Sequence, residues 1–344
     1  MKKLLVIVIL FLGIAVLAVS LSELETIAYT LRRAHLTFFL LGIVIQLAWF
    51  VVLGRMYQSI YRLLGIDESV LTLSRIAAAA NFINVVAPAA GVGGIALFAA
   101  EARRSGHAPG KVTVAAALFL LLYQAAFLCI LALGWIVLVR RNDLQAGEIT
   151  ASLFLLFIAF VYALVLYLGY RSEKKLGDIL ARMARGVNRF VRFFRNMDYL
   201  SEARARAFAH EIAEGFSGLT EKPSSLVRPV MWGILNKVLM MGILACAFLS
   251  FEVPFSAGTI VAGFSLGYLF FVVSPTPSGI GFVEGLMPLA LTSLRVNWTQ
   301  AVVITLTYRT LTFWVPFGMG AWAFRSLHRR GEQPSSTDAS QDLG

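Results

Sequence analysis

Long apolar runs, each close to the length needed to cross a lipid bilayer, alternate with short polar gaps along nearly the whole chain. The pattern predicts a first span over Leu4–Leu21 and a second over Thr37–Leu53, then an apolar stretch, Val70–Ala102, that is interrupted at its centre. Further spans are predicted over Val112–Val139, Ile149–Tyr170 and Val227–Phe251. A second interrupted stretch has Phe255–Val273 before its break and Phe282–Leu294 after it, and Thr299–Phe324 supplies the last span. Outside the tail, the one long polar segment runs from 171 to 226, and residues 331–344 are polar and expected to be disordered. The fold class that follows is all-α integral membrane, a polytopic helical bundle with two re-entrant, broken-helix hairpins in a single membrane domain over 1–330.

The two interruptions share a grammar. In the second, Ser274-Pro275-Thr276-Pro277-Ser278-Gly279-Ile280-Gly281-Phe282-Val283-Glu284 places prolines, glycines and a carboxylate between apolar flanks. Proline removes backbone donors and glycine permits turns that other residues resist, so a helix ends here. A plain loop between two spans is the simpler reading. Two features favour a re-entrant break: Met287 to Leu291 continues the apolar run, and Glu284 is costly to leave near lipid. In the first interruption, Asn81 and Asn84 precede Pro88, and Gly91-Val92-Gly93 superposes on Gly279-Ile280-Gly281.

Composition narrows the function classes. The chain is 58% hydrophobic and 14% charged, and its formal net charge is +11. The basic residues sit in the gaps between apolar runs, which marks cytoplasmic loops and argues against nucleic acid as a partner. Cys129 and Cys246 each fall inside an apolar run and are expected to be core thiols without a disulfide role. The four histidines, His35, His107, His210 and His328, have no metal-ligand spacing, and no phosphate-loop motif for ATP is present, so neither metal nor cofactor is expected. No nucleophile and base stand at useful spacing, so an enzyme is not expected either.

Met1-Lys2-Lys3 and the apolar run after it fit a signal peptide or an uncleaved first span; the second is adopted because another span follows almost at once. With Lys and Arg as cytoplasmic markers, both termini lie in the cytoplasm of a cell (inner) membrane, with Arg32 and Arg33 as exceptions. The first hairpin then dips from the cytoplasmic side and the second from outside. Each half of the chain, 1–141 and 148–330, holds an odd number of crossings, which predicts an inverted repeat of the kind that sets interrupted helices at a transport site. Tyr123-Gln124 and Tyr308-Arg309 are a further echo between the halves. In the polar segment, Arg182, Arg185, Arg189, Arg192 and Arg195 share one face of a helical pattern. That face fits either anionic inner-leaflet lipid or an ordinary surface helix.

Lys237, Glu284 and Arg309 are the ionisable residues hardest to place at an interface, and each costs about 2.5–3.5 kcal/mol in hydrocarbon, so they should face inward and find partners. Glu284 with Arg309 is the favoured pair, with Lys237 as rival. Together with Asn81, Asn84 and Gln124 they are expected to line a polar cavity for a headgroup or ion, or else to lock a hairpin to a helix. Backbone N–H groups beside Gly91, Gly93, Gly279 and Gly281, freed at Pro88, Pro275 and Pro277, suit a phosphate.

These motifs, Asn84, Pro88 and Gly91 in one half, Pro275, Pro277, Gly279, Gly281, Glu284 and Arg309 in the other, resemble the flippase-like membrane domain of lysylphosphatidylglycerol synthases over roughly Leu36 to Arg325. The resemblance implies a protein that moves an aminoacylated phospholipid between leaflets, as a stand-alone member. The chain departs from the family pattern in two ways. Only about twenty mostly polar residues follow Phe324 where the synthases carry a soluble transferase, so lipid synthesis is not expected; and Gly93-Gly94-Ile95 is uncharged where many members carry charge, so a lysyl headgroup is not implied.

The reading is a lipid flippase for a phospholipid or similar amphiphile, with membrane lipids as partners and a homo-oligomer or partner enzyme left open. A membrane scaffold or accessory subunit, and a small-solute secondary transporter, are the alternatives. In a cysteine-free background, Gly106→Cys and Asn297→Cys are expected to react with impermeant thiol reagents from opposite sides of the membrane; labelling from one side would overturn the topology.

Overall fold

The computed structural model describes residues 34–86, 92–107, 109–141, 226–274 and 276–331, together with 157, 160, 164, 177–179, 181, 182 and 185. Every regular element among them is helical. In chain order these are α1 (Leu36–Leu63), α2 (Val70–Val86), α3 (Val92–Arg104), α4 (Pro109–Arg141), α5 (Val227–Ser250), α6 (Ala257–Val273), a short 3₁₀ turn (Pro277–Gly279), α7 (Phe282–Ser293), α8 (Trp298–Arg309), a π-helical turn (Thr310–Trp314) and α9 (Val315–Gly331). Among the described residues, Leu36–Leu63, Val114–Arg140 and Val227–Ser250 are long and apolar enough to cross a membrane. The protein is therefore an all-α, multi-pass membrane protein. The first predicted span, nearly all of the fifth, Arg189, Arg192, Arg195 and the tail after 331 lie outside the described residues. Arg182 and Arg185 are helical and exposed.

Both interrupted stretches are two-helix elements. Val70–Ala102 becomes α2 and α3, with 87–91, including Pro88 and Gly91, outside the described residues. The second becomes α6 and α7 around the break at 274–281. The last predicted span is not one regular helix. A π-helical turn separates α8 from α9 immediately after Arg309, a feature that periodicity cannot reveal because the apolar pattern runs on through it.

Helix ends follow local chemistry. The Ser256 side chain accepts from the Thr259 N–H at the start of α6, and Asn297 accepts from the Thr299 N–H at the start of α8, each satisfying a donor that the first turn leaves unpaired. At the end of α1, Gly65 takes φ +71° and the Ile66 N–H reaches back to the Tyr61 carbonyl, a left-handed stop that buries Ile66.

The chain divides into two compact units, each drawn from both sequence halves. One comprises Met1–Trp49, Phe127–Leu156 and Asn236–Pro316. Its described core gathers Phe127, Ile243, Phe248, Phe264, Met287 and Leu291. Here α6 and α7 pack closely because Gly263 faces Leu291 and Gly267 faces Met287, so small residues let the two helices approach. The other unit comprises Phe50–Ala126, Phe157–Leu235 and Phe317–Gly344. In it the Tyr57 ring is stacked between Phe98 and Phe119, at 4.5 and 3.9 Å, and Phe82 packs on Phe317 and Phe324.

Cys246 is buried as expected, but Cys129, expected in the core, is exposed. An apolar run in a membrane protein turns one face outward, so apolar neighbours do not by themselves imply burial. His107 Nε2 meets Glu68 Oε1 at 3.2 Å, joining the loop after α1 to the end of α3.

At Gly320 a Cβ would lie 2.5 Å from the Ala78 carbonyl oxygen, whereas at Gly318 it would meet nothing within 4 Å among the described residues. Gly320→Ala is expected to destabilise the protein by about 1–3 kcal/mol, because backbone must shift, while Gly318→Ala leaves stability nearly unchanged. Thermal unfolding of the purified protein in detergent checks this, and equal melting temperatures for the two variants would contradict the packing.

Candidate functional site

The break between α6 and α7 is a built loop. The Ser274 hydroxyl accepts from the Thr276 N–H, and the Thr276 hydroxyl donates to the Ile280 carbonyl at 2.8 Å. Ser278, Gly279 and Gly281 all take positive φ, at 52°, 73° and 75°. Glycine adopts that conformation freely; Ser278 does so against its own preference and needs outside support.

Arg309 supplies that support. From the last turn of α8 its Nη2 donates to the Ser278 carbonyl at 3.0 Å, while its Nε donates to Glu284 Oε1 in the first turn of α7. The guanidinium also lies over the Phe313 ring, 5.0 Å from its centroid, one turn along in the π-helical segment. The ion pair is deeply placed: the Arg309 side chain is 6% exposed and that of Glu284 10%. Glu284 further complements the positive end of α7, which no side chain caps at Gly281. Four residues on, Pro288 lacks the N–H that would have paired with the Glu284 carbonyl.

One atom of the pair is left over. Glu284 Oε2 is buried and has no hydrogen-bond partner among the described residues. Beside it, Gly281 and Gly285 are exposed, and a Cβ at either would meet nothing within 4 Å among the described residues.

The structure thus brings Glu284 and Arg309 together and leaves the rival cation elsewhere. Lys237 is fully buried, with Nζ 3.9 Å from the centroid of the Tyr268 ring and 5.8 Å from that of Phe127. Aromatic faces of this kind stabilise a cation. Its neighbour Asn236 is also fully buried, and both its amide atoms, like Gln46 Oε1, have no hydrogen-bond partner among the described residues.

The remaining sequence candidates are placed as follows. Asn81, Asn84 and Gln124 belong to the other compact unit and are half-buried. Asn84 Oδ1 accepts from the Gly94 N–H at 3.0 Å, so this side chain ties α2 to α3. Gly93 lies in the first turn of α3. The Gly279 N–H, expected to be available to a phosphate, instead donates to the Thr276 carbonyl at 3.1 Å, because the 3₁₀ turn uses it internally. Gly281 remains at the uncapped start of α7. Pro277 opens the 3₁₀ turn, and Pro275, Pro88 and Gly91 lie outside the described residues.

Sequence reading missed the Ser278 carbonyl, Phe313, Tyr268, Phe127, Asn236 and Gln46. The four-residue spacing of Arg309 and Phe313 was a visible signal, and so were Asn236 and Gln46 as polar residues inside apolar runs. The Ser278 carbonyl and the rings around Lys237 gave none, since they depend on contacts between distant stretches.

Broken helices around a buried ion pair define a class, a polytopic helical membrane protein with a charged site at a helix interruption. Comparison with known proteins makes it more particular. The model of the family described as lysylphosphatidylglycerol synthase TM region matches residues 4–320, and the chain belongs to that family. A curated relative, a UPF0104 membrane protein of Methanothermobacter thermautotrophicus, is 24% identical over 323 residues, covering 93% of each chain. No solved structure matches.

Arg309→Ala leaves the Glu284 carboxylate buried without its counter-charge and is expected to cost about 3–5 kcal/mol of stability. The double change Glu284→Gln with Arg309→Gln should recover part of that loss, because no lone charge remains. Unfolding in detergent of wild type, Arg309→Ala, Glu284→Gln, Arg309→Gln and the double variant measures it; losses of the two Gln variants that simply add in the double variant would mean that the two side chains do not interact.

Proposed function

We propose that the protein is a lipid translocase that lets the headgroup of a phospholipid or similar amphiphile pass the hydrocarbon layer, and that it is not an enzyme. The observation that carries this reading is the Glu284–Arg309 pair, buried beside a helix interruption that apolar helices flank. Holding two charges out of water is costly, and an interaction meant only to stabilise could be replaced by apolar packing at similar or lower free energy. A pair kept next to the exposed Gly281 and Gly285 can exchange partners with a polar ligand.

Membership of the family supports a membrane role related to lipid, and the coarser statement, a multi-pass membrane protein of that family, stands without the proposal. In this reading the protein lies in the cell (inner) membrane with both termini cytoplasmic, lipids are its partners, and its halves 1–141 and 148–330 form an inverted repeat. Glu284 and Arg309 act as headgroup and gating contacts. Arg182 and Arg185, exposed on their helix, would meet anionic lipid of the inner leaflet.

Purified protein reconstituted into vesicles with a fluorescent phospholipid tests the proposal. Wild type should speed transfer between leaflets, and Glu284→Gln and Arg309→Ala should each slow it by about tenfold or more, equivalent to roughly 1.4 kcal/mol of barrier. Absence of lipid movement by wild type under proton and sodium gradients would favour a scaffold, and solute uptake in its place a small-solute transporter.

A further inference from the structure

We infer that the α7–α8 site binds a phosphodiester monoanion together with one proton, the proton on Glu284 and the anion on Arg309. The inference rests on the reading of this site as a headgroup site and adds the chemical class of ligand and the ion that travels with it.

In the present state Arg309 and Glu284 neutralise one another, with the Arg309 side chain 6% and the Glu284 side chain 10% exposed. An anion arriving at Arg309 while Glu284 stayed ionised would leave a net negative charge in a poorly hydrated place, which is strongly unfavourable. Protonation of Glu284 removes that excess: the Arg309–Glu284 ion pair breaks, an Arg309–phosphate pair forms, and the site remains neutral. One proton and one negative charge enter together, so the transaction balances.

The geometry supplies a place for the proton and a place for the anion. Oε1 is held by Arg309, but Oε2 is buried without a hydrogen-bond partner among the described residues and is the atom open to a proton. Among the described residues, the elements packed against α7 offer no competing carboxylate: α8 carries Tyr308 and Arg309, α6 carries Tyr268, and the 3₁₀ turn carries no titratable side chain. Of these, Arg309 is the charged group in contact with Glu284; Tyr268 lies against Lys237.

For the anion, the guanidinium fork released from Glu284 suits phosphate oxygens in two-point contact. The uncapped start of α7 adds the positive end of a twelve-residue helix. On the ligand's side stand the exposed Gly281 and Gly285, where a Cβ would meet nothing within 4 Å among the described residues. Arg309 keeps its second bond, to the Ser278 carbonyl, so the cation stays positioned while its partner changes.

The test is proton-linked binding by the whole protein in detergent, with short-chain phosphatidylglycerol as probe and its deacylated headgroup, glycerophosphoglycerol, as the soluble alternative. In a weakly buffered solution with a pH indicator, wild type should take up about one proton per ligand bound near neutral pH, and its affinity should fall by up to about tenfold for each unit of rising pH. Glu284→Gln should bind without proton uptake and without that pH dependence, and Glu284→Asp should keep both. Binding of the lipid alone, or of both probes, supports the site and tells whether acyl chains contribute.

Binding without proton uptake, uptake that persists in Glu284→Gln, or no binding of either probe would overturn the inference. If Glu284→Gln does not fold, the wild-type proton count still decides. Proton-linked binding without lipid movement in vesicles would refute translocation and leave this site intact; lipid movement without proton-linked binding would refute the site chemistry alone.

Discussion

Backbone that leaves the helix within an apolar layer frees N–H and C=O groups that lipid cannot satisfy, and the segment around 274–284 answers this largely with its own side chains and with Arg309. Ser274 and Thr276 bond within the loop. The Ser278 carbonyl, turned by a left-handed residue, is taken by Arg309, which then needs an anion of its own and finds it in Glu284. A break in α6–α7, a cation on α8 and a carboxylate at the start of α7 are therefore parts of one arrangement. Remove the arginine and both a buried carboxylate and a strained carbonyl lose their partner.

The helices that carry this arrangement are held at close range by small residues. Gly263 and Gly267 let α7 lie against α6, and Gly42 brings α1 near Leu311 in the π-helical turn that follows Arg309. Such turns are often found at functional sites, and here it places Phe313 against the guanidinium. The same unit buries Lys237 on Tyr268 and Phe127. Two basic side chains are thus placed in two ways, Arg309 against a carboxylate at an uncapped helix start and Lys237 against aromatic rings.

Family membership across 4–320 agrees with the membrane class, and the charged site gives that class a place where polar chemistry can occur. Many membrane helices contain prolines and glycines for packing alone. What separates this interruption from those is the pairing of buried charge with unused polar capacity at Glu284 Oε2.

Much of this was legible in the residues themselves. Apolar runs determined where α4 and α5 lie to within a few residues and where α1 begins, because nothing but a helix of that length satisfies its own backbone across a bilayer; α1 runs on to Leu63, past the predicted end at Leu53. Pro277, Gly279 and Gly281 determined that no helix passes through their segment, since missing donors and positive φ are local properties. The pairing of Glu284 with Arg309 could be anticipated because isolated charges in apolar surroundings seek each other. The tertiary structure alone decided that Lys237 turns to Tyr268, that Asn84 serves Gly94, that Cys129 faces outward and that the Gly279 N–H is consumed within its own turn. Each of those outcomes depends on which face of a helix meets which neighbour. Hydrophobicity identifies a membrane helix but, where both lipid and core are apolar, it does not orient one.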